Sequence, residues 1–342
     1  MACKVQNKEQ EGYNLMNSGS LPSCEQHGVS LQPEWQRQLA AWRDLLAQCA
    51  SKPNRKRVHA LRSLTLRLRT VLEFLLEEHA AESTCAHAFT RWNREGKKLR
   101  RALEPVRNAD VYMARLAGLR ENLAGSPDSD ILPSSRCLRE TGKLLSRLER
   151  RRRKGVDRLM AVMDARNKHL NRLSEEMEAA LAPRMPSGTS NTRQVALRLF
   201  SELADEVPGL DSANLHAYRK RIKKALYLAE ISAPTDPEAR QLAAVLRKMH
   251  VAAGEWHDWQ QLASEAERVL PDHGKQDGLV PVLNQQAEAA LKRALSLCRR
   301  SPARFFKSTG ETRTSQQRKP VASVPIPAQF ANATNLSASS SH

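Results

Sequence analysis

The sequence predicts an all-α protein built as two four-helix bundles in tandem, with long antiparallel helices, and three observations support this. Between polar ends, nearly every stretch spaces its apolar residues at helical period, and no segment alternates convincingly as a strand would. Breaks rich in Gly, Pro and Ser divide that region into four helices and then four more. A histidine followed by a ladder of cations occurs twice, each time on the second helix of its set, which is the mark of a duplicated unit.

In chain order, residues 1–33 hold Gly, Ser, Asn and Gln with little periodicity and read as a disordered tail. The first set has helices at about 34–50, 54–80, 84–123 and 134–181. Pro105 is expected to bend or break the third, and the Gly-Ser-Pro stretch within 123–130 ends it. The fourth carries an apolar stripe running from Leu138 and Leu145 through Leu159 and Leu170 to Met177, interrupted at 150–154 by cations around the whole circumference. If continuous, its roughly 40 residues span ~60 Å, with Gly142 and Gly155 as weak points.

Residues 182–191 form the clearest linker and separate a first half, 34–182, from a second, 192–302. The second set follows at about 192–206, 212–232, 236–270 and 279–299. Asp211 or Ser212 is placed to cap its histidine helix by accepting from a backbone N–H. From Ala303 the chain turns rich in Ser, Thr, Pro and Gln, so 303–342 reads as a second disordered tail.

Charge narrows the partner class. The 342 residues carry 55 Lys and Arg against 37 Asp and Glu, a formal net charge of +18. A field of that sign draws nucleic acid, anionic membrane or another polyphosphate. Aromatic residues make up only 4%, which argues against single-strand readers that depend on stacking. Six scattered cysteines form no CxxC pair and no zinc-spaced cluster, and read as reduced thiols. With no signal-peptide core near the start and no apolar stretch of membrane-spanning length, a soluble cytoplasmic protein is expected.

The two ladders occupy 58–69 and 215–227. Aligned on His59 and His216, they share an arginine three residues on (Arg62, Arg219) and a cation eight residues on (Arg67, Lys224). At ~100° per residue, His216, Arg219, Lys220, Lys223 and Tyr227 share one face, while Leu215, Tyr218, Ile222, Ala225 and Ala229 lie opposite. No acidic residue sits one turn away to neutralise the cations, so a binding surface is favoured over an ordinary solvated face. The histidines have three open readings: packed and hydrogen-bonded within the bundle, protonated donors to an anion, or neutral groups that orient an arginine.

A second matched pair lies downstream, at 103–111 and 253–259, where Arg107 aligns with His257 and Asn108 with Asp258. Each copy is expected at a polar turn interrupting a helix. Arg107, Asn108, Asp110 and Asp258 are better read as an ion pair positioning a cation than as an acid–base or metal cluster. His250 and His257 lack a convincing further ligand for a metal. Trp256 and Trp259 read as packing residues. Lys97, Lys98, Arg100 and Arg101 precede the Arg107 motif and are weaker candidates, as is Arg166; the run 150–154 reads mainly as solvent-facing, with Glu149 and Asp157 as local partners.

These four motifs, in this order, resemble the CHAD family, the conserved-histidine α-helical domain, over about residues 34–300. Val58, His59, Leu61, Arg62, Arg67, Leu68 and Arg69 match its first motif, and Leu215, His216, Arg219, Lys223, Lys224 and Tyr227 match the counterpart. Four positions depart: Leu66 and Leu226 stand where the family usually has basic residues, Glu104 where it has glycine, and Asn108 where it has aspartate. The resemblance implies pseudo-symmetric four-helix bundles whose basic helices line a groove or pore that binds inorganic polyphosphate without catalysis, and association with polyphosphate granules. Together with the charged helix faces, it gives as candidate binding residues His59, Arg62, Arg67, Arg69, Lys97, Arg107, Arg166, His216, Arg219, Lys220, Lys223, Lys224 and Tyr227. No cofactor, metal or membrane insertion is implied.

Two alternatives stand beside it. One is an RNA- or DNA-binding helical protein, which would present stacking aromatics or a groove-reading helix, and neither is evident. The other is a phosphohydrolase, a phosphotransferase or an accessory subunit of a polyphosphate-metabolising enzyme. Chemistry on phosphate generally needs an acidic metal cluster or a phosphate loop, and the chain has no GxxxxGK[ST].

Overall fold

Among the residues the computed structural model describes (34–78, 83–124, 135–183, 192–270 and 277–309), there are eight α-helices and no strand. They are α1 (Glu34–Ser51), α2 (Arg55–Glu78), α3 (Ser83–Ala124), α4 (Ser135–Leu181), α5 (Thr192–Glu206), α6 (Leu215–Ser232), α7 (Pro237–Val269) and α8 (Leu279–Thr309). A short 3-10 turn, Val207–Gly209, follows α5. The expected tail 1–33, residues 310–342 of the expected tail 303–342, residues 125–130 of the break and 184–191 of the linker lie outside the described residues, whereas residues 303–309, expected as tail, are the last turns of α8.

Local chemistry accounts for several boundaries. Asp236 caps α7 by accepting from the backbone N–H groups of Glu238 and Ala239, with Pro237 at the first helical position. Helix α6 begins at Leu215, later than the spacing suggests. The Asp211 carboxylate accepts from the N–H groups of Ala213 and Asn214, so it holds the turn before the helix instead of capping the helix itself. Pro105 does not break α3, which is continuous through it. The 103–111 and 253–259 motifs are therefore helical and not turns. Helix α8 likewise passes through Pro302 to Thr309, because Pro302 and Phe305 are buried in the core.

Packing follows chain order. Helices α3 and α4 run antiparallel along most of their length, as Cys85 meets Ala180, Glu95 meets Arg166 and Asp110 meets Arg152. Gly155 sits at the closest approach: a Cβ there would lie 3.1 Å from a Val106 methyl. The glycine expected to weaken α4 instead lets the two longest helices touch. Helix α1 lies over α2 and α4, with Trp42 donating to Thr65 and Arg43 to Ser174 and Glu178. In the other set α5 packs on α6, α6 on α7 and α7 on α8, and Phe200 of α5 meets Phe305 of α8 edge-on and stacks with Phe306.

Between the sets, α2 touches α6, α3 touches α7 and α4 touches α8. Glu140 of α4 accepts from the backbone N–H of Leu279 at 2.8 Å, which ties the start of α8 to the first set. One hydrophobic core runs through both sets. No helix among the described residues is long and apolar enough to cross a membrane. Cys49, Cys85, Cys137 and Cys298 are buried thiols, and Cys298 is pushed up to about 12 by burial.

Candidate functional site: a cationic seam

The two histidine helices meet each other. Leu215, Tyr218, Ile222, Ala225 and Ala229 of α6 are all buried, as the periodicity predicts, but so are Leu226, Tyr227 and Leu228. Helix α6 therefore buries part of the face that carries its cations, and that face looks onto α2. Tyr227 forms the floor of the seam. The Arg67 guanidinium lies 5.3 Å from its ring centroid and the Lys223 ammonium 5.6 Å, distances at which the ring quadrupole attracts a cation.

Three carboxylates enter this region. Asp258 of α7, 4% exposed, accepts from Arg107 of α3 at two points, 3.0 and 3.4 Å, while Arg107 also donates to the neighbouring Asn108 at 3.2 Å. Glu230 of α6 takes Arg67 at 2.7 Å and Arg247 of α7 at 2.6 Å. Glu104 of α3 lies 3.9 Å from Arg62, beyond hydrogen-bonding reach. Against them stand Arg62, Arg67, Arg107, Arg219 and Lys223, with Arg69 and Arg100 adjoining beside a fourth carboxylate, Glu73, so cations outnumber anions.

The electrostatic consequence is uniform in sign. Lys223 is pushed down to about 7, first by burial and then by Arg219, Arg62, Arg107 and Arg67. His59 falls to about 4 through burial, Arg107 and Arg62, and His257 to about 4 through burial, Arg219 and His216. Burial, then Arg219 and Lys223, holds His250 well below the usual imidazole range. His216 is lowered by burial, Lys220 and Arg219. Arg100 is pushed down to about 10 by burial and its neighbours Arg69 and Arg62. Every one of these groups would be relieved by an anion.

Hydrogen-bond satisfaction points the same way. Arg62 Nε, Arg67 Nε, Arg69 Nε, Arg219 Nε and Arg100 Nη1 are buried with no acceptor, as are ring nitrogens of His216, His250 and His257. Buried donors without partners are uncommon in native proteins. Here several converge where two helices meet, and acceptor-rich oxyanions would satisfy them together.

The sequence-predicted residues separate into groups. His59, Arg62, Arg67, Arg107, Arg219, Lys223 and Tyr227 come together at the seam, and His216 joins them through its ring contact with His257, 4.7 Å between centroids. Arg69 lies along α2 with Glu73, 3.4 Å away, and Arg100. Lys97, Lys220 and Lys224 are exposed. Arg166 is held at 2.5 Å by Glu95, a carboxylate 4% exposed that also binds Lys98 at 2.6 Å. In the 150–154 run, Arg151 pairs with Glu265 and Arg152 with Asp110 on other helices, while Arg150, Arg153 and Lys154 are exposed. Trp256 and Trp259 are buried, the latter under Arg115.

Two seam residues stand outside the main set of sequence candidates. Arg100 is one of the weaker candidates preceding the Arg107 motif, and the structure places it beside Arg69 and Arg62. His250 was set aside as a metal ligand, although it lies two turns before His257 on the same side of α7 and adjoins Arg219, Lys223, His59 and Arg107. Among the described residues no group of histidine, cysteine or carboxylate side chains could hold a metal ion.

A family model described as the CHAD domain matches residues 34–267. No curated protein and no solved structure matches the chain.

Proposed function

We propose, from the premise that the chain belongs to the CHAD family, that the seam between α2 and α6 binds inorganic polyphosphate without transforming it. The observation carrying this reading is the convergence of buried guanidinium N–H groups that lack acceptors on a site whose cations outnumber its carboxylates. A linear phosphate polymer has no bases to read, so its binder needs only donors fixed along a track. Helices hold like charges together at a standing electrostatic penalty, and a polyanion removes that penalty on binding.

A binding role fits the state of the carboxylates. Asp258 and Glu230 are engaged by arginines, which suits them to positioning cations and not to holding a metal. We read the eight helices as two related units. The support is that α1–α4 and α5–α8 each pack mainly among themselves, while α2 meets α6 and α3 meets α7, the helices that carry the matched motifs. A cytoplasmic protein recruited to polyphosphate granules is the setting this reading suggests.

Calorimetric titration with long-chain polyphosphate at about 0.15 M salt, where loose surface attraction is screened, tests the proposal. Single-stranded RNA of equal total charge is titrated beside it. Saturable binding of polyphosphate with weak RNA binding is expected. Equal binding of both would reduce the seam to a general cationic surface, and a preference for RNA would overturn the reading.

A further inference from the structure

The matched motifs place Arg62 opposite Arg219 in the alignment and Glu104 opposite Gly254. The structure keeps each arginine beside its partner position. Arg219 packs directly on Gly254, where an added Cβ would sit 3.5 Å from its Nε and 3.6 Å from its Nη2. Arg62 has the Glu104 carboxylate 3.9 Å away. Both arginines feel the buried Asp258 carboxylate, but at the matched position Arg219 meets bare backbone while Arg62 faces a second carboxylate.

The Glu104 carboxylate is poorly restrained. Its separation from Arg62 is too long for a hydrogen bond, its side chain is 51% exposed, and Arg62 Nε has no acceptor despite it. By contrast, Asp258 and Glu230 are nearly buried and held at 3.0 Å or less. Those two are built into the seam. Glu104 lies over its edge and can swing into water on its own side-chain torsions without disturbing α3.

We infer that Glu104 is a built-in competitor for the phosphate polymer: it screens Arg62, makes the Arg219 side the stronger half of the site, and sets the affinity by having to withdraw when the polymer spans both. This inference rests on the polyphosphate reading of the seam. Phosphate at Arg219 meets no competing charge from the Gly254 position. Phosphate at Arg62 must approach a carboxylate about 4 Å from the same guanidinium, and like charges at that range repel even when solvent screens them. With Asp258 common to both halves, the extra Glu104 charge leaves the polymer held less tightly at Arg62 than at Arg219.

Three variants test this against long-chain polyphosphate at about 0.15 M salt: Glu104→Gln, Gly254→Glu and, as a control for net charge, Glu149→Gln on the exposed face of α4. Glu104→Gln should bind about two- to fivefold more tightly than the parent, the range for one half-exposed ion pair, with a steeper salt dependence because one more phosphate is engaged. Gly254→Glu should weaken binding by at least as much, since its carboxylate would lie against Arg219 in a more enclosed position. Glu149→Gln should match the parent. If Glu104→Gln behaves like Glu149→Gln while the parent still binds, the competitor role fails and the site reading survives. If the parent does not bind polyphosphate, both fall. Should Gly254→Glu fail to fold, the comparison of the two glutamine variants decides alone.

Discussion

Arg107 of α3 and Asp258 of α7 form a two-point ion pair, 3.0 and 3.4 Å, that joins the two helix sets beside the cationic seam. Asp258 is the best-buried carboxylate there, and its charge acts favourably on Arg62 and Arg219 as well. Its charge offsets part of the repulsion among these cations, as Glu230 does for Arg67 and Arg247.

Asp258→Asn should therefore destabilise the protein by about 3 kcal/mol, the scale for removing one member of a buried pair, read as a lower urea midpoint. The variant should recover more stability than the parent when polyphosphate is added, because an external anion then replaces the lost one. Equal recovery in both would mean that the ligand does not reach Arg107.

Arg219→Ala should weaken polyphosphate binding roughly tenfold or more, the loss expected for a charge-assisted hydrogen bond worth about 1.5–3 kcal/mol. Lys220→Ala and Lys224→Ala should each cost far less, since both side chains are exposed and screened. Calorimetry on the three single variants, with circular dichroism to verify helix content, separates the seam from the outer face of α6.

Stability should rise with pH through the lysine window. Lys223 in the folded protein sits at about 7 against an ordinary 10.5, so between those values the unfolded chain binds more protons and the native state gains as pH rises. Lys223→Met should flatten that rise when urea midpoints at about pH 7 and pH 9.5 are compared. On the acid side, His59 and His257 at about 4 against 6.5 make the native state lose stability as pH falls from 6.5 toward 4. Polyphosphate favours the protonated forms, so binding near neutral pH should take up protons, measurable by titrating in buffers of different ionisation enthalpy.

Arg166→Ala should lower stability by about 1 kcal/mol, the scale of a partly exposed ion pair, and leave polyphosphate affinity within about twofold. Its guanidinium is already committed to Glu95. A tenfold loss of affinity would show instead that the ligand track extends along α4.

Gly155→Val should destabilise by about 1–3 kcal/mol through overpacking, because even a Cβ there meets Val106 at 3.1 Å. Gly142→Ala, with nothing within 4 Å of the new methyl, should be neutral or stabilising. Thermal melts of the two variants test whether glycine serves the α3–α4 crossing or only helix flexibility.

Helix positions, the apolar face of α6 and the duplication in phase of His59 with His216 are all legible in the sequence, because each depends on residues within a few turns of one another. Asp211 and Pro105 show where local reading fails. Asp211 has the chemistry of a cap but holds the preceding turn. Pro105 has the chemistry of a break, but its neighbour Val106 is packed against Gly155, and tertiary contact keeps α3 continuous.

The sequence by itself determined that the chain is helical, strongly basic and equipped with two cationic ladders, since composition and period are properties of short stretches. Only the tertiary structure decided which cations act together. Arg166 and Arg100 are both weaker candidates by sequence, yet Arg166 is claimed by Glu95 while Arg100, like His250, adjoins the seam. The physical reason is range. A charge's worth depends on burial and on neighbours a few ångströms away, and across this seam those neighbours, like Arg107 and Asp258, lie 151 residues apart in the chain.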